Sequence, residues 1–392
     1  MGLMDEYIQK KMGGLDLEAE LLRLIKRYNE HRGTYLIVYA GALSKPMIPD
    51  IVMSMDDYYI VYDLLKNIDS QNLDFYIETP GGSGETAEEI ARFIRTKFET
   101  VNFVVSGEAK SAGTILVLSG NDILMTKSGS LGPIDAQVKV GRSVVSAYDY
   151  CGWVEEKRKV AEKHNKLNPL DATMVAQISP GELTGVKNAL EFARDLVVEW
   201  LPKYKFKEWS ITETKKESVT EEMKQKRAKE IAKELTNHEK WRSHGRSIKI
   251  DDLQGKLRIT CIDDDPELSD IVYRIQTVIR MLYATTSTYK IFATEEHKIF
   301  RQATQIGPVS SQVMTPQQAD VIQFELTCQK CGKVHKMHAK FVPDPRIDED
   351  FKKRGSVPYP VDTNKLVCEC GFEHDLSGMK NQIETQVGKK IA

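Results

Sequence analysis

Several features that would place a protein in a membrane, outside the cell or on nucleic acid are missing from this sequence of 392 residues. No apolar run approaches the roughly 18 residues that a transmembrane helix needs. The N-terminal stretch MGLMDEYIQKKMGG is too acidic and too interrupted for a secretory signal. The formal net charge is only -2, which gives no overall attraction to nucleic acid or to anionic membranes. We therefore expect a cytoplasmic protein without a membrane span and without a nucleic-acid partner.

The central part of the chain alternates short strand patterns with helix patterns. The β-rich runs Phe75–Glu78, Asn102–Ser106 and Ile123–Met125 each end in a turn of small residues, and amphipathic or apolar helix patterns stand between them. Strands that alternate with helices form parallel sheets, and ligands gather where such strands end. This pattern predicts an α/β fold with its functional turns at the carboxyl edge of the sheet.

Two of these turns carry residue types suited to acyl transfer. Gly81 and Gly82 have no Cβ, so a substrate can approach their backbone and their N–H groups can face a developing negative charge. Ser111 stands before the next helix, where its hydroxyl would lie beside the unpaired amides of the helix start, including that of Ala112. The alternative is that Ser111 only caps the helix, because serine is a favoured cap residue.

The motifs around these turns resemble the ClpP/crotonase fold, and within it the serine dehydrogenase proteinase group related to SppA signal-peptide peptidases. The resemblance rests on three segments, Thr79-Pro80-Gly81-Gly82, Ala109-Lys110-Ser111-Ala112-Gly113-Thr114 and Ser130-Leu131-Gly132-Pro133-Ile134-Asp135-Ala136-Gln137. His244-Gly245-Arg246-Ser247-Ile248 resembles a later His-x-x-Pro-Ile element, with Ser247 where proline is usual. The resemblance covers roughly residues 35–282 and implies Ser111 as the nucleophile, with the amides of Gly82 and Ala112 as the oxyanion hole.

The chain departs from ClpP-like enzymes at the position of their catalytic histidine, where it has Pro133-Ile134-Asp135. His31 is the only histidine before Ser111, and the next one after it is His164, so no Ser-His-Asp triad is visible in the sequence. SppA-like enzymes use a lysine that burial keeps neutral. The resemblance therefore points to Lys163 or Lys166 as the general base. An ordinary charged helix face is the alternative for these lysines, and Lys110 is a further candidate.

The C-terminal part contains two close pairs of cysteines, Cys328 with Cys331 and Cys368 with Cys370. Four thiolates in two pairs suit a closed tetrahedral zinc site, although the second pair is Cys-x-Cys rather than Cys-x-x-Cys. His335, His338 and His374 are possible substitute ligands. We predict a small zinc-ribbon-like module with a structural zinc.

These patterns divide the chain into four parts: an N-terminal amphipathic helix (1–33), a ClpP/crotonase-like serine hydrolase domain with a helical arm (34–288), a linker (289–322) and the zinc-ribbon-like module (323–392). An apolar face of the arm around Ala193, Val197 and Trp200 predicts a homo-oligomer. The predicted activity is hydrolysis of a polypeptide substrate by a serine peptidase. The alternatives are a crotonase-type acyl-CoA hydratase or lyase, and an inactive scaffold that recruits partners through the zinc module.

Overall fold

The computed structural model describes residues 2–45, 48–140, 143–212, 216–303, 320–328, 330–387 and 389–392. The chain divides into two compact units, Met1–Ala303 and Thr304–Ala392.

The α-helices are α1 (Leu3–Gln9), α2 (Gly14–Arg32), α3 (Met55–Leu65), α4 (Gly84–Lys97), α5 (Ala112–Val117), α6 (Ala147–His164), α7 (Pro169–Val175), α8 (Pro180–Trp200), α9 (Glu221–Leu235), α10 (His238–Trp241), α11 (Ile250–Leu253), α12 (Pro266–Thr285), α13 (Pro345–Lys353) and α14 (Ser377–Val387). Short 3-10 turns (Pro49–Ile51, Ile262–Asp264) and a π-helical turn (Leu201–Lys205) accompany them.

The strands of the first unit are β1 (Tyr35–Gly41), β2 (Asn72–Glu78), β3 (Thr100–Val105), β4 (Glu108–Ala109), β5 (Asp122–Met125), β6 (Ser130–Leu131), β7 (Gln137–Val140), β8 (Ser143–Ser146), β9 (Thr260–Cys261), β10 (Thr288–Ala293) and β11 (Lys298–Gln302). Seven of them form one sheet in the order β11-β10-β1-β2-β3-β5-β9. β1, β2, β3, β5 and β9 run parallel, as the alternating pattern predicts. The predicted α/β fold with a parallel sheet is confirmed.

The predicted linker begins too early. Residues 288–302, most of which fall in that linker, form the two antiparallel strands at one edge of the sheet. β10 pairs directly with β1, with Val38 opposite Ala293. β10 follows the long helix α12 and carries no recognisable motif, which is why its sequence was assigned to a linker.

Helices cover both faces of the sheet. One core lies between the sheet and α3, α4, α5 and the α8–α9 pair, and it contains Phe75, Phe103 and Leu116. The other core lies between the sheet and α2 and α12, and it contains Tyr76 and Ile275. The N-terminal helix α2 therefore packs within its own unit, where Arg27 also pairs with Asp270 at 2.8 Å.

The helical arm differs from its prediction. The apolar face of α8 packs into the first core. The predicted surface residues are at most 4% exposed there: Ala193, Val197 and Trp200. The segment before α6 is a strand, β8, which forms a hairpin with β7.

A second, smaller sheet stands at the carboxyl end of the main one. β4 and β6 run parallel, with Glu108 opposite Ser130. Isolated bridges extend this sheet on both sides, from Thr79 to Ala109 and from Leu131 to Ile248. The turns that the sequence analysis identified lie next to this small sheet.

The second unit contains the cysteine pairs. Its strands are β12 (Val321–Thr327), β13 (Val334–Lys340), β14 (Val357–Pro358), β15 (Lys365–Val367) and β16 (Glu373–Asp375). Its apolar core is small and centres on Met337, Phe341 and Tyr359. Among the helices described in either unit, none combines the length and the apolar character that crossing a bilayer requires.

Candidate active site and cysteine cluster

The turn that ends β2 is shaped by two glycines in backbone conformations that other residues rarely adopt. Gly81 has φ +102° and Gly82 has φ +146°. A Cβ on Gly81 would lie 2.6 Å from the Cβ of Ser111, and a Cβ on Gly82 would lie 2.4 Å from the carbonyl oxygen of Met53. Both positions therefore require glycine. The close approach also places the Gly81–Gly82 turn directly against Ser111.

Ser111 lies in a strained turn between β4 and α5. Its backbone has φ +50° and ψ -118°, a conformation that costs free energy in a residue with a Cβ. Its side chain makes no capping hydrogen bond and is partly exposed, so the capping alternative is wrong for this residue. A strained strand-to-helix turn with a free hydroxyl is the local geometry in which a serine nucleophile is presented.

Two backbone amides of the turns at Gly81–Gly82 and Ser111 are the predicted oxyanion-hole donors. Gly82 is exposed, and Ala112 is the first residue of α5. Among the described residues, neither amide donates a hydrogen bond, whereas Gly113 N–H donates to Lys110 O at 2.8 Å. Amides without an acceptor in the protein can donate hydrogen bonds to the oxyanion of a tetrahedral intermediate. The assignment of Gly82 and Ala112 to an oxyanion hole stays a prediction.

Lys110, which precedes Ser111, is buried with its ammonium group in a polar nest. Four acceptors lie within hydrogen-bond distance of its Nζ: Ser247 Oγ at 2.9 Å, Leu131 O at 3.1 Å, Ser130 Oγ at 3.2 Å and Arg246 O at 3.3 Å. Burial lowers the pKa of Lys110, which the charge of Glu108 partly opposes. The Lys110 side chain therefore connects the small sheet to residues 246–247 through hydrogen bonds.

The predicted lysine bases lie elsewhere on the surface. Lys163 is in the last turn of α6, Lys166 follows that helix, and both side chains are exposed. In the described part of the chain neither forms a side-chain hydrogen bond or an ion pair. A lysine base needs burial to become neutral, and this structure of a single chain does not supply it at either position. Lys163 and Lys166 stay predictions.

A cluster that the sequence analysis did not assemble lies beside the small sheet. Asp135 is fully buried, and its Oδ1 lies 2.8 Å from His244 Nδ1 while its Oδ2 lies 2.9 Å from His238 Nδ1. Burial opposes ionisation, but the hydrogen bond and charge of His244 and the hydrogen bond of His238 outweigh it, so the pKa of Asp135 lies below its usual value. About 100 residues separate the partners in sequence. Asp135 and His244 each lie in a motif of the sequence, but no pattern connects the two motifs or includes His238.

Glu78, at the end of β2, is a buried acid on the opposite face of the sheet. Burial raises its pKa to about 7, although the charge of Arg280 opposes this shift. The Arg280 guanidinium lies 2.6 Å from Glu78 Oε1, but its alignment is not that of a hydrogen bond, and both carboxylate oxygens lack a hydrogen-bond partner among the described residues. The ionised form is therefore poorly compensated.

We expect Glu78→Gln to stabilise the protein at alkaline pH. Because the folded pKa is raised from 4.5, the contribution of Glu78 to stability is complete below about pH 4.5 and is lost as the pH rises through about 7. The amide cannot ionise, so the variant should gain on the order of 3 kcal/mol in unfolding free energy near pH 8 and little near pH 5. Urea unfolding at the two pH values measures this. Glu89→Gln, on the exposed face of α4, is the control, and equal effects of both variants would contradict the prediction.

The four C-terminal cysteines come together in the second unit. One potential ligand atom from each of Cys328, Cys331, Cys368 and Cys370 lies within 4.8 Å of the others. Cys328 Sγ is 3.6 Å from Cys370 Sγ, and Cys331 Sγ is 3.6 Å from Cys368 Sγ. Sulfurs bound tetrahedrally at the Zn–S distance of about 2.3 Å would lie roughly 3.8 Å apart, so the cluster fits a closed metal site.

Tight turns present these thiols. Gly332 N–H donates to Cys328 O and Gly371 N–H donates to Cys368 O, and both glycines have positive φ. Of the predicted substitute ligands, His335 has its Nε2 3.3 Å from Cys368 Sγ. His338 is occupied by Ser356 and Asp348.

The sequence of the first unit matches a protein family. Residues 16–181 match the ClpP-like serine proteinases of the SDH type. This segment contains the Gly81–Gly82 turn, Ser111 and Asp135, and it ends before His238 and His244. The identification made from the sequence motifs is confirmed for this part of the chain.

Two uncharacterized proteins of Methanocaldococcus jannaschii are similar to parts of the chain. One is 27% identical over 134 residues, which are 32% of this chain and 46% of that protein. The other is 33% identical over 66 residues, 17% of this chain and 23% of that protein. The chain thus spans less than half the length of these curated relatives.

Two solved structures of the 1510-N membrane-bound stomatin-specific protease show weak similarity. A serine-to-alanine mutant is 14% identical with a TM-score of 0.32, over 56% of this chain and 79% of that chain. A lysine-to-alanine mutant in complex with a substrate peptide is 19% identical with a TM-score of 0.21, over 34% of this chain and 73% of that chain.

Proposed function

We propose that this chain, whose residues 16–181 match the ClpP-like SDH-type serine proteinases, hydrolyses peptide bonds through an acyl-enzyme on Ser111. The observation that carries the proposal is the strained backbone of Ser111, with φ +50°, pressed against a glycine turn that leaves no space for a side chain. Strain of this kind persists where the surrounding structure enforces it, which is typical of catalytic residues. The substrate class is a polypeptide.

The proposed reaction uses two free amides and one hydroxyl. Ser111 Oγ attacks the scissile carbonyl carbon, and a base takes the hydroxyl proton. The carbonyl oxygen becomes negative and is held by the N–H groups of Gly82 and Ala112. The C–N bond then breaks, the leaving amine receives the proton, and water later hydrolyses the ester on Ser111. For the base, the sequence-based prediction is Lys163 or Lys166.

Covalent labelling tests this proposal against its alternatives. A fluorophosphonate probe should label one residue, and peptide mass spectrometry should place the label on Ser111. Turnover of acyl-CoA thioesters without labelling would favour a crotonase-type hydratase or lyase. Absence of both reactions would favour an inactive scaffold.

We propose further that the four cysteines of the second unit bind one structural zinc ion. Their spacing leaves no open coordination position, so the metal would stabilise the fold and take no part in hydrolysis. The four cysteines are free thiols, which a metal site requires. They also support a reducing location, the cytoplasm, because oxidising compartments favour disulfides.

We also propose that the chain self-associates, through exposed apolar side chains other than those predicted. Val144 of the β7–β8 hairpin and Leu170 and Met174 of α7 are exposed apolar side chains, by 67%, 70% and 47%. We expect sedimentation at micromolar concentration to show a species larger than the 44.5 kDa chain, because such side chains favour burial in an interface. Leu170→Glu should weaken it and Ile211→Glu, at an exposed site elsewhere, should not. A monomer at this concentration would refute the proposal.

A further inference from the structure

A buried ion pair that the proposed reaction does not use lies at the carboxyl edge of the main sheet. Lys290 of β10 and Asp57 of α3 are both fully buried, and Lys290 Nζ lies 2.9 and 2.8 Å from the two carboxylate oxygens of Asp57. Lys290 is opposite Gly41, the last residue of β1. Arg301 Nη1 approaches Asp57 only to 3.9 Å, so Lys290 supplies the main compensating charge. Burying two charges is costly, so stability alone is a weak reason for such a pair.

The pair also holds a short backbone segment between β1 and α3. Lys290 Nζ donates to the carbonyl oxygen of Val52 at 3.0 Å, so its three protons have three acceptors. Asp57 accepts from the backbone N–H of Ser54 at 3.0 Å. Val52 and Ser54 flank Met53, so the ion pair fixes the backbone on both sides of that residue.

Met53 in turn is bonded to the Gly81–Gly82 turn. Its N–H donates to Gly81 O at 2.7 Å, and its carbonyl oxygen accepts from Ser83 N–H at 3.0 Å. A Cβ on Gly82 would meet the backbone of Met53, whereas a Cβ on Gly81 would meet Ser111 and its neighbours. The turn is therefore in close contact with Met53 and with the proposed nucleophile.

The hydrogen bond to Gly81 O determines the direction of an amide. The carbonyl of Gly81 and the N–H of Gly82 belong to one planar trans peptide unit, so they point in opposite directions. Two adjacent glycines allow such a unit to rotate more freely than other residues would, because neither has a Cβ. The bond from Met53 therefore selects one orientation of the Gly82 N–H, the amide predicted for the oxyanion hole.

We propose that Lys290 and Asp57 are positioning residues for the oxyanion hole. The pair fixes residues 52–54, and this segment fixes the peptide unit that carries the Gly82 N–H. The inference rests on the proposed peptidase activity. It concerns how the negative oxygen of the tetrahedral intermediate is held, and it leaves the choice of general base unchanged.

Lys290→Met tests this role, because it removes the ammonium group at nearly constant side-chain length. The backbone amides of Met53 and Ser83 should exchange with solvent about tenfold faster, since their hydrogen bonds would open more often. In saturation kinetics of fluorophosphonate labelling, the maximal rate should fall about 100-fold, the loss expected when a group at the reaction centre is misplaced by about 1 Å. The probe concentration at half-maximal rate should not change, because the full negative charge on the oxygen develops only in the transition state.

Arg32→Met is the matched control, because it also removes a cation from a fully buried carboxylate. Asp74 of β2 accepts from Arg32 Nε at 3.2 Å and from the hydroxyl of Tyr28 at 2.7 Å. Asp74 lies near the start of β2, whereas the glycine turn follows the end of that strand. Arg32→Met should therefore lower the unfolding midpoint in urea and leave amide exchange in the turn and the labelling kinetics at their native values.

The possible outcomes are distinct. If Lys290→Met does not fold, Asp57→Asn/Lys290→Met replaces it, since that variant buries no unpaired charge and still lacks the donor to Val52 O. Native amide exchange or a native maximal rate in the folded variant overturns the inference, as do equal changes in Arg32→Met. Undiminished labelling of Ser111→Ala would instead refute the peptidase mechanism, and amide exchange would still decide whether the ion pair holds the turn.

Discussion

Ser111→Ala is expected to abolish covalent labelling by a fluorophosphonate probe while leaving the unfolding free energy within about 1 kcal/mol of the native value. The hydroxyl is the group that would form the bond to phosphorus. It contributes little to the fold, because it makes no capping hydrogen bond and its side chain is partly exposed. Labelling with peptide mapping and urea unfolding measure the two effects.

A second serine, Ser119, is the control, because it is expected to matter for stability and not for labelling. Ser119 lies just after α5, is fully buried, and donates a hydrogen bond to Leu116 O at 2.7 Å. Ser119→Ala should therefore lose on the order of 1 kcal/mol in stability and keep its labelling. Labelling that persists in Ser111→Ala, or a large loss of stability in that variant, would show that Ser111 is structural.

Removal of metal is expected to unfold the second unit. Its core contains few large apolar side chains, so burial alone gives a module of this size little stability. Structural zinc sites supply on the order of 10 kcal/mol, and this contribution is lost on chelation. We expect one zinc per chain by elemental analysis and, after chelation, new protease cuts between Gly332 and Val367.

The control for this experiment lies in the first unit. Cys328→Ser should reproduce the effect of chelation, and Cys151→Ser, at a thiol outside the cluster, should not. Labelling of Ser111 should persist after chelation because the two units have separate cores. Protein purified without chelator that contains no zinc would refute the site, and loss of labelling on chelation would refute a purely structural metal.

Local sequence patterns correctly predicted the features that depend on residues close together in the sequence. The turns at Gly81–Gly82 and Ser111, the parallel strands between them and the two cysteine pairs are such features. Their residue types report the local backbone, because glycine marks positive φ and alternating patterns mark buried strands.

The predictions that were wrong or missing concern contacts between segments far apart in the sequence. The apolar face around Val197 was expected on the surface because the sequence does not show which helix face meets the core. β10 was assigned to a linker because its partner is β1, about 250 residues earlier. Asp135 and His244 each appeared within a motif, but the hydrogen bond between them is set by tertiary packing alone.

The link from Lys110 to residues 246 and 247 has a consequence for the order in which the protein is made. The Ser111 turn is completed by a segment more than 130 residues downstream, which supplies two of the four acceptors around Lys110 and a strand partner for Leu131. A growing chain on the ribosome has no such segment until synthesis has passed Ile248. The environment of the proposed nucleophile is therefore complete only when most of the first unit has been synthesised.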